Sequence, residues 1–186
     1  LVKDVVSSAA YQRSSKPNAS NAGDKLNFAR AQVRRVRAEV LLDAISQITE
    51  TPNKFQGLPL GARAVQIADG AVSNYFLTTF GRATRETVCA CEVRLEPTLS
   101  QSLHLLNGNT TGQRIRQGDL VAKRLAAKKE PTDIIDEVFV RCLTRRPTDA
   151  EKQKLMAMVA SETDKKKALE DVFWAVLNSR EFMFNH

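Results

Sequence analysis

The chain has 186 residues, about one domain's worth and enough to bury a substantial core; it begins with Leu1, which predicts a processed protein or a portion of a longer one. Its 42% hydrophobic and 26% charged residues exclude wholesale disorder, and three cysteines are too few for a disulfide scaffold, although they fix no redox compartment. The net charge of +7 admits an anionic partner such as nucleic acid, lipid headgroup or acidic polysaccharide, and no run approaches the ~20 apolar residues of a membrane span.

Leu1 to Ala10 has helical composition and reads as the end of a helix. Tyr11 to Lys25, YQRSSKPNASNAGDK, is poor in large apolar groups and rich in turn formers, so residues 1–25 are expected to form a helix remnant and a surface arm. From about Leu26 the spacing Val33, Val36, Val40, Leu41, Ala44, Ile45, Ile48 predicts a long amphipathic helix ending before Pro52. Glycines and prolines then interrupt residues 51–87, leaving at most a short extended piece at Ala64 to Ile67 and a short helix at Ser73 to Phe80, with Ser73 as cap and Gly81 as stop. Pro97 suits a first helical turn; Leu99, Leu103 and Leu106 form an apolar stripe, and Asn107-Gly108 closes that helix. Helical patterns follow at Asp119 to Lys129 and from Pro131, where Ile134, Ile135, Val138, Phe139, Cys142 and Leu143 share one face. Thr148 and Glu151 have capping-box spacing, and a last helix from about Asp164 carries Leu169, Val172, Phe173, Val176 and Leu177, with Phe182 and Phe184 packing beyond it. The fold class is therefore mostly α: an irregular multi-helix bundle over 26–186, with a Gly/Pro-rich central segment and at most one short strand pair.

Two groups of residues are candidates for chemistry. Cys89 and Cys91 would project to the same face of an extended backbone, where they could brace a bend, form a strained disulfide, or join His104 in a soft-metal or redox site. A closed zinc site needs four ligands, however, and only Glu92 and His104 lie nearby. The plainer readings are packing thiols or one disulfide, and an interior imidazole at His104. Basic clusters form the second group: Arg34, Arg35 and Arg37, then Lys123 and Arg124, then Arg145 and Arg146, candidates for binding an anionic polymer if the fold gathers them on one face. Tyr75, Phe76, Phe80 and Trp174 fall on or beside apolar helix stripes, so they read as core rather than a base-stacking platform, which disfavours nucleic acid. No nucleophile turn, phosphate loop or metalloprotease pattern occurs, so no catalytic constellation is identified.

Several phrases in order, SSAAYQRSS, RRVRAEVLLDAIS, LPLGARAVQ, YFLTTFGR, CACE with EPTLSQSLHLLNG, LTRRPTDAE and ALEDVFWAVLNSREFMFNH, span nearly the whole chain. They resemble the C-terminal domain of large exported planctomycete proteins whose upstream regions often contain a cytochrome c module, the domain-of-unknown-function family 1553. That resemblance implies an exported or cell-surface setting, a longer parent chain whose other domains are partners, and haem in an upstream domain. No cofactor is expected in this segment, because covalent haem attachment needs Cys-x-x-Cys-His and Cys89-Ala-Cys91 lacks that spacing. The expected role is a non-catalytic structural or interaction module of the parent protein. The alternatives are a thiol redox or metal site at the Cys-x-Cys turn, and binding of an acidic polysaccharide or nucleic acid by basic helix faces.

Overall fold

The computed structural model describes the chain apart from residues 25, 69, 71, 88–91, 108 and 186 and the side chains of 107 and 109. Local chemistry sets many of the element ends. Helix α1 (Val2–Val6) buries nothing, and no described residue before Arg35 is buried. Strand β1 (Arg34–Arg35) leads into α2 (Ala38–Ile48), after which Glu50 turns left-handed at φ 56° ahead of Pro52. A 3-10 turn spans Ala64–Gln66, and α3 (Tyr75–Thr79) starts where the Asn74 side chain accepts from the Leu77 amide at 3.1 Å. It stops at Gly81, whose φ of 75° suits the left-handed residue after a helix. A side chain there would also strike the Arg94 carbonyl.

Beyond α4 (Leu99–Asn107), α5 (Asn109–Gly118) and α6 (Leu120–Ala126), helix α7 (Pro131–Leu143) uses Pro131 in its first turn, where a missing amide costs no hydrogen bond. Helix α8 (Asp149–Ser161) opens on the expected capping box: the Thr148 hydroxyl accepts from the Glu151 amide while the Glu151 carboxylate accepts from the Thr148 amide at 2.7 Å. Helix α9 (Lys165–Leu177) is capped by Asp164 and α10 (Arg180–Met183) by Ser179. The chain closes with β2 (Phe184–Asn185), antiparallel to β1 with Arg35 opposite Phe184. The fold is mostly α, with one two-stranded sheet among the described residues.

Two apolar cores result. In the first, Ala168, Leu169, Val172, Phe173, Val176 and Leu177 of α9 meet Ile134, Ile135, Val138, Phe139 and Cys142 of α7, while α5, α6 and α8 pack on other sides of α9. Phe173 and Ile135 are fully buried, and truncating such a Phe to Ala costs ~3–5 kcal/mol. The second core gathers Leu41, Leu42 and Ile45 of α2 with Phe55, Ile67, Phe76, Leu77, Phe80 and Met183. Phe182 packs against both cores, as Ile48 at the end of α2 reaches the first. Nearby, Gly118 lies so close to the Thr49 carbonyl that any Cβ would collide with it.

Five expectations need correction. Asn74 and not Ser73 caps α3, since its side chain is the one that accepts from the Leu77 amide. The long helix starts at Ala38, not near Leu26: the Val36 amide pairs with the Met183 carbonyl at 2.9 Å, so tertiary pairing overrides the helical spacing of Val33 and Val36. Ala64–Gln66 is a 3-10 turn and not an extended piece, because Asp43 holds the amides of Ala64 and Val65. The stripe Leu99, Leu103, Leu106 faces outward, 76%, 49% and 62% exposed, since α4 docks through Gln101, His104 and Leu105 instead. Tyr75 is likewise 72% exposed, whereas Phe76 and Phe80 are buried and Trp174 is half-buried. The expected close at Asn107-Gly108 falls partly on residue 108, outside the described residues, and α5 is a helix that the polar run NTTGQRIRQG did not advertise.

Candidate functional site

Cys89 and Cys91 lie outside the described residues, whereas their candidate partner His104 lies within them. On α4 its ring is half-buried among Tyr75, Phe76 and Phe80, with centroids 5.2, 5.6 and 5.9 Å away, and its Nε2 shares a hydrogen bond with the Thr110 hydroxyl at 2.8 Å. Burial pushes the imidazole pKa below its ordinary value, because an aromatic cage solvates the charged form poorly. Beside it, the Gln101 amide donates to the carbonyls of Thr79 at 3.1 Å and Glu96 at 3.4 Å, fastening α4 to the end of α3. The third thiol, Cys142, sits in the first core, and burial raises its pKa to about 12, leaving it a poor nucleophile. Among the described residues no group of three His, Cys, Asp or Glu side chains is placed to hold a metal ion.

The basic candidates differ in their surroundings. Arg34 and Arg37 are exposed at the entry to α2, and the Arg34 guanidinium donates to Gln32 at 3.2 Å. Arg35, between them, is only 4% exposed. Its guanidinium donates to the carbonyls of Phe80 at 2.7 Å, Arg94 at 2.8 Å and Val36 at 3.2 Å, and its centre lies 5.4 Å over the Phe80 ring. No carboxylate accompanies it in these bonds, and burial lowers its pKa.

Arg124 forks onto Glu137 with bonds of 2.7 to 3.0 Å; Arg141 and Lys129 reach the same carboxylate. Arg141 also donates to Glu50 at 2.9 Å, and Lys123 stands 3.6 Å from Glu50, so the network ties the end of α2 to α6 and α7. The concentrated donors hold the Glu137 pKa down to about 2. Arg145 clamps both Glu151 and Glu181 at 2.6 to 2.9 Å, joining the end of α7 to the starts of α8 and α10, while Arg146 remains exposed. Bonds from Arg145 and the Thr148 cap hold Glu151 at about 2.

One polar centre escaped the sequence reading. Asp43, 8% exposed on α2, accepts from the amides of Ala64 and Val65, from the Asn53 side chain at 3.2 Å, and pairs with Arg63 at 3.5 Å. It serves as the cap of a 3-10 turn about twenty residues away. Arg114 on α5 feels the same carboxylate, which partly offsets the lowering of its pKa by burial. A signal existed: a carboxylate between Leu42 and Ala44 sits in an otherwise apolar helix, and buried carboxylates need several donors. Near this turn a cavity of about 440 Å³ opens between Leu58 and Val72; its described lining holds no ionisable side chain.

Among the described residues no helix is long and apolar enough to cross a membrane. The family model described as PSD1, protein of unknown function (DUF1553), matches residues 1–159. No curated protein and no solved structure matches the chain.

Proposed function

The chain belongs to the DUF1553 family, and we propose that it serves as a non-catalytic structural and interaction module of a larger exported protein. One observation carries this reading: the ionisable groups most suited to chemistry are engaged in holding elements together. Arg35 is bound to carbonyls, Arg124 and Arg141 to Glu137, and Arg145 to Glu151 and Glu181, while burial disfavours the charged forms of Cys142 and His104. An apolar face is turned outward: Leu99, Leu103 and Leu106 on α4, with Tyr75 exposed on α3, whose ring lies against His104. Exposed apolar surface of this kind suits a neighbouring domain of the parent chain.

Hydrogen exchange tests it. Amides of residues 99–107 should exchange more slowly in the full parent protein than in this 186-residue segment, and Leu103→Asp should remove that protection. Equal exchange in both proteins would contradict the reading.

A further inference from the structure

The positive charge of the chain is not spread evenly. Residues 1–37 hold eight of the Lys and Arg residues against two Asp, leaving 20 basic against 19 acidic side chains in the other 149. The stretch before α2 is thus strongly cationic, while the helical body is nearly balanced by its own ion pairs.

Part of that charge converges on a cavity of about 350 Å³ where the arm meets the strand pair, lined by Tyr11, Arg13, Phe28, Arg30, Arg34 and Asn185 among others. Three arginines line it, and no carboxylate belongs to its described lining. Among the described residues their contacts are neutral. Arg13 donates to the Phe28 carbonyl at 2.6 Å, Arg30 to the Ser15 carbonyl at 3.5 Å and Arg34 to the Gln32 amide oxygen. The Arg30 Nε is buried with no hydrogen-bond partner among the described residues, a donor that the fold desolvates without satisfying. The loop presenting these groups is built: the Asp24 carboxylate accepts from the amides of Leu26, Asn27 and Ala29, and Phe28 takes a left-handed φ of 53° that a bulky side chain adopts at a cost.

We infer that this cavity binds an acidic sugar residue, a uronate or a sulfated ring, as a ligand site of the N-terminal arm. Planar guanidinium forks match carboxylate or sulfate oxygens in pairs, and unpaired arginine charge draws an oxyanion. The rings of Tyr11 and Phe28, 63% and 65% exposed, offer flat apolar faces to a sugar ring, and the amides of Gln32 and Asn185 on the same wall suit its hydroxyls. The site is separate from the α4 leucine face, so it stands whether or not the latter meets a partner domain.

Calorimetric titration of the full 186-residue chain with digalacturonate and, separately, with a sulfated heparin disaccharide tests the site and tells carboxylate from sulfate recognition. At least one sugar should bind saturably at one site per chain, and Kd should rise when salt is added. Arg34→Ala and Arg13→Ala should each weaken binding about tenfold or more, the loss of a charge-assisted hydrogen bond. Arg34→Lys, which keeps the charge but loses the fork, should lie between wild type and Arg34→Ala, and Lys128→Ala, at an exposed lysine elsewhere, should leave Kd unchanged. Among the described residues the Arg34 side chain bonds only to Gln32, so its variants retain the fold even if Arg13→Ala loosens the arm. Saturation by neither sugar, an unchanged Kd in Arg34→Ala, or ATP binding as tightly as the better sugar would overturn the assignment.

Discussion

Arg35 and Arg34 are neighbours in sequence with opposite fates: one guanidinium is sealed beneath Phe80 and the other stands in solvent. Strand alternation explains the divergence, because successive side chains of β1 point to opposite faces. In sequence they form one cluster, since the carbonyls that hold Arg35 lie 45 and 59 residues away, beyond the reach of any local pattern. His104 has its folded pKa pushed below the ordinary 6.5, so the unfolded chain takes up the proton first and stability falls as pH drops below about 6.5. Glu137, held at about 2 against 4.5, contributes stability that is present above 4.5 and lost between about 4.5 and 2. Both signs agree. Thermal unfolding between pH 7 and 5 should show Tm declining, and His104→Gln should flatten that first decline while leaving the fall below pH 4.5. A Tm that rises on acidification to pH 5 would contradict the placement of the imidazole.

At the scale of elements, the legible features were those whose signal is local. The Thr148 and Glu151 cap, the Asp164 start and the inner face of α7 are encoded within a few residues, and the structure places them as expected. Helix α5 was hidden because only Thr111 and Ile115 of its described residues, with Gly118, are buried, too thin a stripe for periodicity to detect. The same geometry makes Gly118 sensitive. The Thr49 carbonyl fills the place of its Cβ, so Gly118→Ala must force the ends of α2 and α5 apart and should lower stability by roughly 1–3 kcal/mol, measured by urea unfolding. Leu103→Asp, on the exposed face of α4, should change it by less than about 0.5 kcal/mol. A reversal of that order would mean that the leucine face is internal and the helix ends are loose.

Over the whole molecule, two apolar cores are joined by a small set of contacts: Phe182 between them, Gly118 against Thr49, the β1–β2 pair, and the Glu50 and Glu137 network. Composition could signal a buriable core and an excess of positive charge, but not that arginine would act chiefly as a strut. Unfolding of wild type and Arg35→Met by scanning calorimetry measures that role most directly. Removing the guanidinium leaves the Phe80 and Arg94 carbonyls without it, at roughly 1–3 kcal/mol for each polar group buried unpaired, so a single transition about 5–15 °C lower is predicted. A Tm within about 2 °C of wild type would show that Arg35 does not brace the fold, and the claim that the chain's charged groups serve architecture would fail with it.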